Sequence, residues 1–296
     1  MQLTFLGTSA MVPTKDRNHS AIFLKHEGHG FLFDCGEGTQ RQLRQEEIKP
    51  SQITKIFITH WHGDHSLGLP GLLQTLSMSD YSDELEIYGP KGTREMVRAL
   101  IDLFPLSNKY ALSVHDISKT KFIDTAGFYI EAYQMEHKVP CLGYRFVEKD
   151  RLRINVHKAK ELGIPEGPLM GKLQRGETIT HKGNRIEADK VTYKVHGRII
   201  GYIPDTGMCD SCLKIAENAD VLVCESTYAA REEDKAQEYM HLTTTQAAFI
   251  ASQANAKKLI LTHFSQRYKD LSDVEQEAKD IFPNTITAHD FMKVKL

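Results

Sequence analysis

His60-Trp61-His62-Gly63-Asp64-His65 packs three imidazoles and a carboxylate into six residues, directly after the apolar run Lys55-Ile56-Phe57-Ile58-Thr59. That run reads as a buried strand. Imidazole nitrogens and carboxylate oxygens suit zinc, and catalytic zinc sites keep one coordination position for water. If the turn has extended character, His60 and His62 face one way while Asp64 and His65 turn toward a second position. One short loop can then serve two metals, with Gly63 expected to allow a tight backbone turn. Three more apolar runs end in a similar way. Residues 128–135 lead into Glu136-His137, 199–203 pass through Pro204 to Asp205, and 258–262 end at His263. Ligands gathered at the C-terminal ends of several strands place a site on one rim of a sheet. A single histidine after a strand is more often structural; four such endings in one chain argue against coincidence.

Outward from this loop, strand-like runs alternate with helical patterns. Residues 3–6, 21–25 and 31–33 read as an opening antiparallel meander, and 85–88 and 221–224 as further strands. Segments 69–77, 93–104, 243–254 and 272–281 read as helices, with Thr243 or Thr244 as N-cap of the third. Such mixing predicts a layered α/β domain around a buried sheet core. The 296 residues, 41% hydrophobic, exclude a disordered or fibrous chain. No apolar run reaches the roughly 18 residues of a bilayer-spanning helix, and the opening residues lack a signal peptide's basic start. Five Cys form no disulfide framework, which predicts a reducing cytoplasm. Cys209-Asp210-Ser211-Cys212 has redox-motif spacing, but without a second pair or a thioredoxin-like context it reads as incidental thiols. Fourteen His are roughly twice the average share. Net charge is −2, yet residues 138–200 carry 14 Lys/Arg against 7 Asp/Glu, a net of +7. This basic segment, broken by Gly163-Ile164-Pro165-Glu166-Gly167-Pro168, reads as an insertion.

The His-x-His-x-Asp-His loop followed by His137, Asp205 and His263 resembles the metallo-β-lactamase fold. More narrowly, the chain resembles the ribonuclease Z family of tRNA 3′-processing endonucleases over essentially its whole length. Phe33-Asp34-Cys35-Gly36-Glu37-Gly38-Thr39-Gln40, Pro13–Asn18, Cys224-Glu225-Ser226-Thr227-Tyr228, His241–Ala248 and Leu261–Tyr268 carry the resemblance. Pro204 and Ser226 depart from it, standing where Gly and Ala are usual. It implies a four-layer αβ/βα sandwich, a single domain over 1–296 with a projecting basic arm at 150–195. It also implies two zinc ions per subunit, one held by His60, His62 and His137, the other by Asp64, His65 and His263, with Asp205 bridging. The arm would clamp precursor tRNA outside the active site, and the enzyme would be a homodimer with no membrane association.

On that resemblance, Asp64 accepts a proton from water and His241, oriented by Glu225, protonates the departing 3′ oxygen. The products would be a tRNA 3′-hydroxyl and a trailer 5′-phosphate. Expected RNA contacts are Lys15, Arg17 and Asn18 in the first loop, Gly167, Pro168, Lys172 and Arg175 in the arm, and Ser265 and Arg267 beyond His263. Asp34 and Glu37 are candidates for orienting ligands. Two competing readings are another metallo-β-lactamase-fold phosphodiesterase or small-molecule ester hydrolase, which has no use for a basic arm, and a non-catalytic RNA-binding scaffold. The second fits poorly with a chain that keeps every expected ligand.

Overall fold

Gln2–Gly7, Ala21–His26 and His29–Phe33 are short aliphatic and aromatic runs separated by turns, and they pair antiparallel as a meander. In the computed structural model, which describes residues 1–79, 81, 83–104, 106 and 110–296, this meander begins the first of two seven-stranded sheets. Lys55–Phe57, Glu84–Gly89 and Ala111–Asp116 extend it in parallel, and Lys293–Lys295 closes its other edge. The second sheet runs in the order Thr285–Thr287, Leu259–Thr262, Val221–Glu225, Ile199–Ile203, Leu142–Glu148, Phe128–Gln134, Lys121–Asp124. Leu142–Glu148, missed in the sequence, is buried along its whole length, so it offers no two-residue alternation to read.

An aromatic layer joins the sheets. Phe33 and Phe57 meet Tyr144 with ring centroids 5.8 and 5.6 Å apart, and Phe31 meets Phe146 at 5.8 Å. Each such ring, fully buried, contributes about 1.5–3 kcal/mol. The outer face of the first sheet is covered by Thr39–Gln45, Leu69–Met78 and Thr93–Leu103 through Leu43, Leu72, Leu76 and Val97. The outer face of the second is covered by Asp210–Ala216, Thr244–Gln253 and Ser272–Lys279 through Ile215, Ala248, Ile250 and Val274. Helix, sheet, sheet, helix is the four-layer order that the resemblance implied. Thr243 caps its helix as expected, accepting from Gln246 N–H while the Gln246 side chain accepts from Thr243 N–H.

Met1–Ile123, Ile130–Phe146 and Ile199–Leu296 form this layered unit; Asp124–Tyr129 and Val147–Arg198 form a second compact unit. In the second, Arg151–Ile154 pairs antiparallel with Thr192–Val195, and Ile179–His181 makes a hairpin with Asn184–Ile186. The hairpin turns through Lys182 and Gly183, both at positive φ, as a two-residue loop of this hand requires. Ala159, Ile164, Leu173, Ile179, Ile186 and Val191 give the unit a small core of its own. Among the described residues, no helix is long and apolar enough to cross a membrane.

Candidate metal centre and active site

Strand register assembles the site. Ile203 is level with Cys224, and Cys224 with Leu261, so Asp205, Ser226 and His263 leave three parallel strands at the same height, with Thr227 one residue further on. Lys55–Phe57 ends two residues earlier than the sequence suggested and delivers His60. The backbone stays extended as far as His62, then Gly63–Ser66 makes one helical turn. That turn, rather than a continuously extended loop, brings Asp64 and His65 to His263, while the His65 ring stays 4.2 Å from the His60 ring. Gly63 is not at positive φ; a Cβ there would meet only the tip of the exposed Leu67 side chain, so the expected backbone role is corrected. Gly36 has a firmer reason. A Cβ on it would stand 2.3 Å from the Asp64 carbonyl oxygen, and the Cys35 N–H donates to His65 O at 2.8 Å. Close backbone approach thus seats the loop after Phe33 against the ligand turn.

The seven side chains expected as ligands converge. Ligand-capable atoms of His60, His62, His137 and Asp205 lie within 4.8 Å of one another, as do those of Asp64, His65, Asp205 and His263, so Asp205 belongs to both groups. The far nitrogens of the rings explain which atom faces inward. His65 Nδ1–H donates to Asp34 Oδ2 at 2.8 Å, and His137 Nδ1–H to Met240 O at 3.2 Å. Thr59 O–H donates to Asp34, so its oxygen accepts from His60 Nδ1–H at 3.0 Å. Thr227 O–H donates to Glu225, so its oxygen accepts from His263 Nδ1–H at 2.8 Å. Four rings therefore present a bare Nε2, and His62 presents Nδ1.

These bare nitrogens face each other at 3.0 Å (His60 to His62), 3.3 Å (His62 to His137) and 3.2 Å (His65 to His263). Two lone pairs cannot share a hydrogen bond, but a tetrahedral ion with bonds of about 2.0–2.1 Å has ligand-to-ligand edges of about 3.3 Å. Asp205 Oδ1 is buried without a hydrogen-bond partner, 3.4 Å from His65 Nε2 and 3.2 Å from His263 Nε2. The donor set and its spacing fit divalent metal ions.

Beside this cluster, His241 Nδ1–H donates to Glu225 Oε1 at 3.0 Å. Glu225, fully buried at the end of its strand, also accepts from Thr206 N–H and Thr227 N–H. Burial opposes protonation of His241, but Glu225 and then Asp205 outweigh it and push the imidazole up to about 9. His62, Asp64, His137, Asp205, His241 and His263 line one cavity of about 610 Å³ together with Ser265 and Arg267.

The expected RNA contacts are dispersed. Lys15 is exposed. Arg17 is half-buried, with its guanidinium donating to Tyr268 O at 2.7 Å, and burial lowers its pKa. Asn18 N–H donates to Asp290 and its amide to Glu37 O. These bonds tie both residues to the fold, and Arg17 Nε is buried without a hydrogen-bond partner. Arg267 donates to Ser265 Oγ at 3.0 Å and lies over the Tyr228 ring. Gly167, Pro168, Lys172 and Arg175 are exposed on the second unit, where Gly167 precedes a helix at φ 124° and Arg175 pairs with Glu177. Of the two carboxylates expected behind the ligands, Asp34 is there and the exposed Glu37 is not. Sequence reasoning missed Thr59, Thr227, Met240 and Met11, whose N–H donates to Asp64 Oδ2 at 2.7 Å.

A family model described as "Anti-Pycsar protein Apyc1" matches residues 1–139. Ribonuclease Z of Microcystis aeruginosa is 43% identical over 302 residues, covering 99% of this chain and 95% of that protein. Ribonuclease Z of Archaeoglobus fulgidus is 43% identical over 300 residues, covering 100% and 97%. The crystal structure of the short form of human tRNase Z superposes with a TM-score of 0.74 at 32% identity, covering 100% of this chain and 99% of that one. The Bacillus subtilis protein YhfI, at 19% identity and a TM-score of 0.72, shares the metallo-β-lactamase fold. Identity of this level along nearly every residue, on a fold whose strand ends gather the His and Asp clusters above, makes the chain a member of the ribonuclease Z family.

Proposed function

We propose that the chain removes 3′ trailers from precursor tRNA by metal-dependent hydrolysis of one phosphodiester bond. One observation carries this reading: the Glu225–His241 pair stands beside two ligand groups that share Asp205, around a single cavity. The donor set suits zinc, with His60, His62 and His137 for one ion, Asp64, His65 and His263 for a second, and Asp205 reaching both. Two ions bound there would make a water nucleophilic at neutral pH and offset the phosphate charge.

The chain's own residues supply the proton transfers. Asp64, its Oδ2 fixed by the Met11 N–H, accepts the proton of the attacking water. His241 is held through Nδ1 by Glu225, which leaves Nε2 to carry a proton to the departing 3′ oxygen. Because water attacks and the 2′-hydroxyl does not, tRNA ends in a 3′-hydroxyl, the trailer begins with a 5′-phosphate, and no cyclic phosphate forms. We assign Lys15, Ser265 and Arg267 to the RNA near the cut. Gly167, Pro168, Lys172 and Arg175 in the basic arm contact the tRNA body, while Arg17 and Asn18 shape the loop that presents Lys15. The enzyme is read as a cytoplasmic homodimer. Incubating the purified protein with an unprocessed precursor tRNA and mapping the cut and both new ends tests the function. A 2′,3′-cyclic end, or no cleavage by protein carrying its metal, overturns it.

A further inference from the structure

Cys209 and Cys212 take no part in the chemistry above. Cys209 immediately precedes the helix Asp210–Ala216, and residue 212 lies one turn into it, which sets both side chains on one side. Cys212 is packed into the core, Cys209 is partly exposed, and the two sulfurs are 3.7 Å apart. A disulfide needs about 2.05 Å, so the sulfurs must close by about 1.7 Å, a side-chain movement with no change of fold. Spacing alone reads as incidental thiols; sulfurs in contact do not. Cys209 Sγ also touches Thr206 Oγ1 at 3.7 Å, and Thr206 N–H holds Glu225. The pair is thus two contacts from the carboxylate that orients His241.

The two thiols differ in character. A hydrogen bond from Cys212, helped by Thr206, brings the Cys209 thiol down to about 5, while the same contact and burial push Cys212 up. Cys35, Cys141 and Cys224 are fully buried, and burial pushes all three up. Thiolate character and access select Cys209 as the attacking sulfur.

We infer that Cys209 and Cys212 form a redox-active dithiol that closes to an intramolecular disulfide on reaction with low-molecular-weight disulfides. The Cys209 thiolate attacks one sulfur of the small disulfide, forming a mixed disulfide and expelling one thiolate. Cys212 then loses its proton and attacks the Cys209 sulfur, expelling the second thiolate. The protein dithiol is oxidised by two electrons and the small disulfide is reduced to two thiols.

The test treats the full-length protein, as purified with its metal, with excess oxidised glutathione under native conditions, then blocks free thiols and maps peptides by mass spectrometry. The expected result is a Cys209–Cys212 disulfide in most molecules, with Cys35, Cys141 and Cys224 left as thiols. Cys212→Ser should trap a glutathione adduct on Cys209. Cys209→Ser, at the more exposed position, should leave Cys212 unreacted, and it serves if the buried substitution fails to fold. Both thiols remaining free in the native protein, or closure seen only after denaturant is added, overturns the inference.

Discussion

Replacing Asp34 with asparagine tests how the metal centre is held. Asp34 is fully buried, and every group that contacts its carboxylate donates to it. Oδ2 accepts from His65 Nδ1–H at 2.8 Å and from the Thr59 and Tyr202 hydroxyls at 3.0 Å, while Oδ1 accepts from Thr59 N–H at 2.8 Å. An amide keeps one acceptor and puts two donors in place of the other. With its oxygen toward Thr59 N–H, the NH₂ faces His65, whose proton must then move from Nδ1 to Nε2, the nitrogen that faces His263 and Asp205. With its oxygen toward His65, the NH₂ opposes the buried Thr59 N–H, and a buried donor without an acceptor costs about 1–3 kcal/mol. Either arrangement also disturbs Thr59, which fixes His60, so both ligand groups are affected. Loss of such a partner behind a ligating imidazole lowers metal affinity about 10–100-fold, equivalent to about 1.4–2.8 kcal/mol. Chelator competition on wild type and Asp34→Asn reads this directly, with circular dichroism to establish that the variant is folded. A folded variant whose affinity stays within about twofold of wild type, well below the expected loss, refutes the assignment of Asp34 as the carboxylate behind the centre.

Three further outcomes follow from the geometry. His241→Ala should lower turnover on precursor tRNA by about 10²–10⁴-fold with metal content unchanged; loss of metal, measured by elemental analysis, would place His241 among the ligands instead. Deleting residues 150–195 should cripple precursor tRNA cleavage while sparing hydrolysis of a small chromogenic phosphodiester, and equal losses on both substrates would remove the arm from RNA binding. Asp290 gives a pH signature away from the metal centre. Burial raises its carboxyl to about 6, although Asn18 N–H and Thr8 O–H both donate to it and pull the other way. An acid raised in the fold above its ordinary value of about 4 stabilises while protonated. That contribution is present below pH 4 and is lost as pH climbs through 6. The difference in Tm between wild type and Asp290→Asn should therefore shift against wild type across that window; a difference flat with pH would contradict the raised pKa.

What the sequence makes legible here is what it repeats. The meander, the central parallel strands and the helices from 69 and 244 show their periods in short windows, and the ligand loop stands out because four ligand-capable residues crowd into six positions. Leu142–Glu148 is hidden because both its faces are buried. Lys121–Asp124 is hidden because only Ile123 of its four residues is buried, which is too little pattern to find. The net charge of +7 over residues 138–200 is plain in composition, yet the small core within that stretch is not, because seven small or aliphatic side chains scattered over about thirty positions have no single period.

The ring behind the ligands is illegible for a different reason: its members act through hydroxyls and peptide groups that any sequence supplies in plenty. Thr227 matters only because the strand register sets its oxygen between His263 and Glu225. Met240 matters only through its carbonyl, and Met11 only through its N–H. Backbone conformation marks the same places. Met11, Asp34, Met240 and His263 all hold positive φ, between 46° and 60°, without being glycine. Conformations of this kind cost of order 1–3 kcal/mol each and persist where surrounding contacts over-determine them. At Asp34 those contacts are four donors, at Met11 a carboxylate, at His263 the Thr227 hydroxyl, and at Met240 the helix C-cap bonds from its N–H to the Ala236 and Gln237 carbonyls together with the His137 ring. The fold thus carries local strain at the residues that aim lone pairs inward. Substitutions that relax it, such as glycine at Met240, are expected to stabilise the chain while loosening the grip on His137.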